Sequence, residues 1–158
     1  MLTSVAMDKI YSESVWNLFD DLDSSLSPVG PDQLCDIADP YLHAGQRLLD
    51  VGCRDAPHLI EMVRRHDAIG IGLDLVPWHV QRTLTAVDLA DLAGQITIRL
   101  GAAENLAEPS ASIDTIWSLD VIEVLPELPT ALAGMRQVLR LGGHLIAYTN
   151  VLQGRSTQ

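Results

Sequence analysis

The sequence predicts an α/β fold: a doubly wound sheet of mainly parallel strands, helices on both faces, and helices at the N-terminus. Three observations predict it. From Gln46 onward, short apolar runs alternate with amphipathic stretches, so the hydrophobic period switches between strand and helix. The strand candidates are almost continuously apolar, as expected where a parallel sheet is covered on both sides. A chain of 158 residues, 47% of them hydrophobic, suffices for one core. We therefore expect one domain over residues 1–158, with a helical cap over 1–44 and a ligand-binding core over 45–158.

The elements follow in order. Residues 1–44 read as acidic and helical: a helix over 11–22, a Ser/Pro/Gly break over 24–31, and a helix over 32–42. Asp32 suits its N-cap, and Leu34, Ile37 and Leu42 give it a weak apolar face. Strands are expected over 47–51, 68–73, 95–100, 115–119 and 144–149, and helices over 57–66, 77–92 and 126–139. The helices present Leu59, Ile60 and Val63; then Val80, Leu84 and Val87; then Leu128, Leu132, Met135 and Leu139. Pro57, Pro77 and Pro126 stand near first turns, where a missing N–H costs nothing. Gly142-Gly143 is expected to end the last helix and turn the chain into the fifth strand. Residues 104–112 read as loop and the tail 153–158 as frayed.

Charge and composition exclude several classes. A net charge of −11, a single lysine (Lys9) and no basic cluster beyond Arg64-Arg65 argue against a nucleic-acid partner. No apolar run approaches the ~20 residues of a membrane helix, and no signal peptide is apparent at the N-terminus. Cys35 and Cys53 form no disulfide framework, so a reduced, cytoplasmic setting is expected. No His/Cys/Asp/Glu spacing suggests a metal site, and no nucleophilic triad is evident.

In such a sheet, ligands sit beyond the carboxyl ends of the strands, near the reversal of strand order. Four features converge there. Strand one runs into a turn containing Asp50, Gly52, Cys53 and Arg54, with Asp55 and Pro57 suited to start a helix. Strand two ends in Asp74, roughly 20 residues on, where a carboxylate can accept hydrogen bonds from a ribose diol. Gly101-Ala-Ala-Glu-Asn105 follows strand three, and Ser118-Leu-Asp120 follows strand four. Asp74 could equally start the helix at Val76-Pro77, and Asp50 could cap groups inside its turn. Two ligand classes use the first two features, dinucleotides and S-adenosylmethionine. A dinucleotide turn needs Gly-x-Gly-x-x-Gly, which Gly52-Cys-Arg-Asp-Ala-Pro57 lacks at both later glycines.

Leu49-Asp-Val-Gly-Cys53, Gly72-Leu-Asp74, Gly101-Ala-Ala-Glu-Asn-Leu106, Ile113-Asp-Thr-Ile-Trp-Ser-Leu-Asp-Val-Ile-Glu123 and Val138-Leu-Arg-Leu-Gly-Gly-His-Leu-Ile146 stand in sequence order. Together they resemble class I S-adenosylmethionine-dependent methyltransferases of the type 11 domain, over roughly residues 45–150. The resemblance implies a Rossmann-like sheet ordered 3-2-1-4-5, S-adenosylmethionine as cofactor, and a small-molecule methyl acceptor. It implies that Asp50 holds the methionine amino group and that Gly52, with Cys53 and Arg54 beside it, lines the methionine part. Asp74 would bind ribose, Leu75 would pack on adenine, Ala103 and Glu104 would line its edge, and Leu119 and Asp120 would face the methionine end. Tyr11 and Trp16 would lie in a helix closing over the site. Asp120 and Glu123, then Tyr11, are the candidates for a catalytic base.

The departures fall on the pocket. Arg54 and Ala56 replace glycines of the family turn, and Ala102 stands where an aspartate often meets the adenine amino group. The last two strands of the family sheet have no counterpart, which would leave 144–149 as an open apolar edge. Three resolutions are expected: a longer parent chain, which is preferred, pairing of that edge in a homodimer, or a tail folded over it. A degenerate or truncated domain that binds cofactor or a partner without catalysis is the competing expectation.

Overall fold

A computed structural model describes residues 4–17 and 34–149. Helix α1 (Ser4–Ile10) leads through a turn at Tyr11 to a helical stretch over 13–17. After a 3-10 turn (Asp39–Tyr41) come β1 (Arg47–Val51), α2 (Pro57–His66), β2 (Ile69–Asp74), α3 (Pro77–Leu89) and β3 (Ile96–Leu100). Then follow β4 (Ile113–Leu119), a 3-10 turn (Ile122–Val124), α4 (Leu128–Val138) and β5 (Leu139–Tyr148). The sheet runs β3-β2-β1-β4-β5 with every pairing parallel, as the sequence predicts. Strand order reverses between β1 and β4, which places a ligand crevice at their carboxyl ends.

The near-continuous apolar character of β1 and β4 has a direct cause: both of their faces are buried. On one face Leu48 and Trp117 pack with Leu59, Met62 and Val63 of α2, Val87 of α3, and Cys35, Ala38 and Leu42. On the other, Leu49, Val51, Ile71 and Ile116 pack with Ala131, Met135 and Val138 of α4. Each large side chain removed from water in this way contributes about 1.5–3 kcal/mol.

Several boundaries and faces differ from expectation. The helix expected over 11–22 is broken, because Tyr11 is a turn residue; residues 18–33, including the break and Asp32, lie outside the described residues. The segment expected as a helix to residue 42 is helical only at 34–35 before the 3-10 turn, and it buries Cys35, Ala38 and Leu42 while Ile37 is exposed. In α3 and α4 the buried stripe runs through small residues, Thr83 and Ala131, which let the helices lie close to the sheet; Leu84 and Leu132 are turned outward. α3 ends at Leu89, ahead of a left-handed Asp91. Pro126 belongs to a turn, and Pro129 occupies the first turn of α4.

The largest correction concerns Gly142-Gly143. α4 ends at Val138 and β5 begins at once, so the glycines do not terminate a helix. They form a bulge: Ile113 pairs with Leu139, but Thr115 already pairs with His144. Gly142 adopts φ +78°, and a Cβ on Gly143 would press on the Asp114 carbonyl at 2.9 Å, so both positions need glycine.

Candidate functional site

At the end of β1, Asp50 is buried beside β2, in register with Gly72. Its carboxylate has no hydrogen-bond partner among the described residues. Burial, followed by the negative charge of Asp74, raises its pKa to about 8. The chain then turns at Gly52 with φ +79°. A Val121 methyl group occupies the place a Cβ on Gly52 would take, so the β4 loop closes directly against this glycine. The N–H groups of Gly52 and Cys53 both donate to the Leu73 carbonyl, at 2.7 and 3.1 Å, which locks the turn to the end of β2. Burial drives the Cys53 thiol pKa far up, so this cysteine is packing and not a nucleophile.

Arg54 and Ala56 keep the backbone that glycine would adopt, with φ of +52° and +59°. Left-handed residues of this kind each cost about 1 kcal/mol, so the surroundings must hold them. The Arg54 N–H donates to Asp74 Oδ2 at 2.9 Å, and its carbonyl accepts from the Thr83 hydroxyl. Its guanidinium bonds Asp55 Oδ1 at 2.7 Å and stacks over the Trp16 ring at 4.7 Å, facing the N-terminal segment. Helix α2 therefore starts from a left-handed Ala56 with no side-chain cap, while Asp55, the expected starter, serves Arg54.

Asp74 closes β2 and is the most heavily tied side chain of the site. Besides Arg54, its Oδ1 accepts the Val76 N–H at 2.8 Å and lies 3.1 Å from His79 Nδ1. It thus does start α3, while its carboxylate, with about four lone-pair positions, retains acceptor capacity. His79 was not among the residues expected from the sequence. It is 5% exposed, its Nε2 has no hydrogen-bond partner among the described residues, and its ring touches those of Tyr11, Trp16 and Trp78. The signal for it was available: a histidine in the first turn of a helix faces back to the acid that starts that helix.

The remaining expected residues fall into two groups. The loop after β3 is brought beside Asp74 by the Gly101 N–H, which donates to the Asp74 carbonyl at 2.9 Å. Leu75 and Glu104 are half-buried there, and Ala103 is buried in the core. At the end of β4, Leu119 is half-buried, while Asp120 (φ +52°) and Glu123 are exposed. Tyr11 lies at the β2 side against His79, with its carbonyl accepting from the Trp78 indole. The three candidate bases are therefore split, two by β4 and one by β2. Trp117 is packed in the core. Among the described residues no group of three His, Cys, Asp or Glu could hold a metal ion, and no helix is long and apolar enough to cross a membrane.

Comparison with known proteins matches this architecture. The profile of a methyltransferase domain family covers residues 49–147. The 27-O-demethylrifamycin SV methyltransferase of Amycolatopsis mediterranei is 31% identical over 104 residues, which are 66% of this chain and 38% of that one. The ubiquinone biosynthesis O-methyltransferase of Cereibacter sphaeroides is 31% identical over 114 residues, 72% of this chain and 45% of that one. The chain thus spans less than half the length of these relatives. Among solved structures, the [4+2]-cyclase SpnF aligns with a TM-score of 0.70 at 23% identity, covering 73% of this chain and 44% of that one. The geranyl diphosphate C-methyltransferase of Streptomyces coelicolor, solved with S-adenosyl-L-homocysteine, aligns with a TM-score of 0.67 at 15% identity, covering 73% and 45%. The matched domain, covering the five-stranded sheet and its carboxyl-end crevice, shows that this chain belongs to the class I S-adenosylmethionine-dependent methyltransferase family.

Proposed function

We propose that this chain binds S-adenosylmethionine at the carboxyl ends of β1, β2 and β4 and methylates a small-molecule acceptor. One observation carries the proposal: two buried carboxylates, Asp50 and Asp74, stand on adjoining strand ends beside the left-handed Gly52 turn. The residues fit this cofactor. An unpaired buried carboxyl at Asp50 calls for a cationic donor such as an ammonium group, and Asp74 keeps acceptor capacity for a ribose hydroxyl.

When bound, the cofactor supplies an electrophilic sulfonium methyl group. Asp50 then orients the amino acid end, and Gly52, Cys53 and Arg54 form the turn it lies on. Asp74 takes the ribose, Leu75, Ala103 and Glu104 line the adenine, and Leu119 and Asp120 border the acceptor side. Asp120 or Glu123, ahead of Tyr11, takes a proton where the acceptor must lose one. Catalysis then rests mainly on positioning and exclusion of water. The relatives named for O-methylation support an oxygen acceptor. Residues 45–158 act as the cofactor core and 1–44 as its cap, in a cytoplasmic protein. The outer edge of β5, with Leu145 and Tyr148 partly exposed, supports pairing with a second copy; a monomeric mass by light scattering at all concentrations would count against that pairing.

The second function, a cofactor- or partner-binding domain without turnover, draws support from two contacts. Val121 already covers Gly52, and Trp16 is latched over the turn by Arg54. SpnF also shows that a neighbour of this fold can be a cyclase. Calorimetric titration decides first: millimolar S-adenosylmethionine giving neither heat nor a thermal shift rules out cofactor binding. Binding without methyl transfer to any of a panel of phenols and hydroxylated polyketides selects the non-catalytic function.

A further inference from the structure

The N-terminal segment lies against the β2 side of the crevice and is held there by side chains. Among the described residues, no backbone–backbone hydrogen bond joins 11–17 to the rest of the chain. Two clasps hold it instead. At Tyr11 the backbone carbonyl accepts from the Trp78 indole N–H. At Trp16 the ring lies under the Arg54 guanidinium, 4.7 Å from its centroid. Arg82 covers the Trp78 ring in the same way at 5.5 Å. Both guanidiniums lead to one carboxylate: Asp55 Oδ1 bonds Arg54 Nε at 2.7 Å, and Asp55 Oδ2 lies 3.9 Å from Arg82. Asp55 thus orients the two cations that cover the two tryptophans, whose rings meet at 6.4 Å. Contacts held by side chains can be released locally while the sheet stays intact.

We propose that segment 11–17 is a gate: the two clasps close it in the ligand-free chain, and it lifts for the cofactor to enter or leave. This rests on the cofactor assignment above and adds its regulation. A gate differs from a plug in what it grips. Here the clasps grip the Arg54 side chain and the Trp78 indole, while the Tyr11 and Trp16 rings rest on His79. The ligand replaces none of these contacts, so the closed form suits the empty and the filled crevice alike. A ligand that does not distinguish two states leaves their balance unchanged. The segment therefore sets the rates of exchange and not the affinity. The arginine at position 54 serves both parts: its backbone keeps φ +52° for the turn, and its side chain reaches the gate.

The test is stopped-flow binding of S-adenosylhomocysteine to the full chain, with calorimetry for the affinity. In the wild type, the observed association rate should level off at high ligand concentration, at the rate of opening. Trp16→Ala removes one clasp; Trp78→Phe removes the other and keeps a ring. Thermal melts check that each variant is folded. Both variants should raise the plateau and the dissociation rate together, by about tenfold, the reach of one cation–π contact or hydrogen bond. The Kd should stay within about twofold of wild type. Trp16→Phe, which restores a ring under Arg54, should return both rates toward wild type. A loss of affinity carried by dissociation alone makes the segment a ligand contact and overturns the gate. A gain carried by association alone makes it a plug and overturns the gate as well. Unchanged rates in both variants also overturn it, and in all three cases the cofactor site stands. Failure of the wild type itself to bind S-adenosylhomocysteine overturns the cofactor site, and the gate with it.

Discussion

The two halves of the crevice are built differently. On the β1–β2 side, polar groups are buried and cross-tied: Leu73 accepts two turn N–H groups, and Asp74 fixes Arg54, Val76 and His79 at once. On the β4–β5 side, Asp120 and Glu123 are exposed, and one backbone bond, Asp120 N–H to the Tyr148 carbonyl at 2.8 Å, joins the strand ends. The difference teaches where each function can reside. A fixed cofactor needs preorganised acceptors whose geometry is held before binding. An acceptor site that differs from relative to relative needs side chains free to be exchanged.

The sharpest way to break this contrast is at Gly52. Gly52→Ala forces a side chain into φ +79° and onto Val121; we expect a loss of about 2–4 kcal/mol in chemical denaturation and no cofactor binding. Next comes Asp74→Ala, expected to weaken S-adenosylhomocysteine by about 2–3 kcal/mol in calorimetry; an unchanged affinity refutes the ribose role.

Asp50 gives a pH signature. Its pKa in the folded chain, about 8, lies above the ordinary carboxyl value of the unfolded chain. Stability is therefore intact at pH below the unfolded value near ~4 and is lost as pH rises toward 8. Asp50→Asn should melt like wild type near ~pH 4 and progressively higher than wild type up to pH 8, while losing affinity for the cofactor. Because an ammonium group favours the ionised carboxylate, ligand binding at pH 7 should release a proton, seen as a buffer-dependent enthalpy; an enthalpy independent of buffer argues against Asp50 as the ammonium site.

Smaller effects come last. Arg54→Gly relieves a left-handed arginine, worth about 1 kcal/mol, but loses the stack on Trp16, worth ~0.5–2 kcal/mol. Net stability should move by no more than about 1 kcal/mol, while the off-rate of S-adenosylhomocysteine rises. Glu123→Gln, on the exposed side, should leave melting within about 0.5 kcal/mol of wild type and change only turnover. A clear loss of stability there would erase the contrast between the halves.

The order of strands was legible because it follows from alternating periodicity and from chain order, and both survive locally in the residues. The positions of Asp50, Gly52 and Asp74 at strand ends were legible because those ends are marked by a break in apolar character. The glycine bulge in β5 was not, since Gly142-Gly143 after an apolar helix carries the same local signal as a helix stop. Only the register against β4, a long-range property, separates the two. For His79 the contact with Asp74 was legible, as a histidine in the first turn of the helix that acid starts, whereas its burial was not, because the covering Tyr11 and Trp16 rings come from far away in sequence. The state of the Arg54 turn was also hidden, because a side chain at a glycine position says nothing of whether the backbone keeps the glycine conformation.

The three tryptophans form a built-in optical gauge. Trp16 and Trp78 sit at the junction of the N-terminal segment with the crevice, each under a guanidinium, at 4.7 Å from Arg54 and 5.5 Å from Arg82. Trp117 is sealed in the sheet core at 1% exposure. Emission from the first two reports lifting of the cap, and blue-shifted emission from the third reports collapse of the sheet. Movement over the crevice and global melting can thus be followed as separate signals in one unlabelled sample.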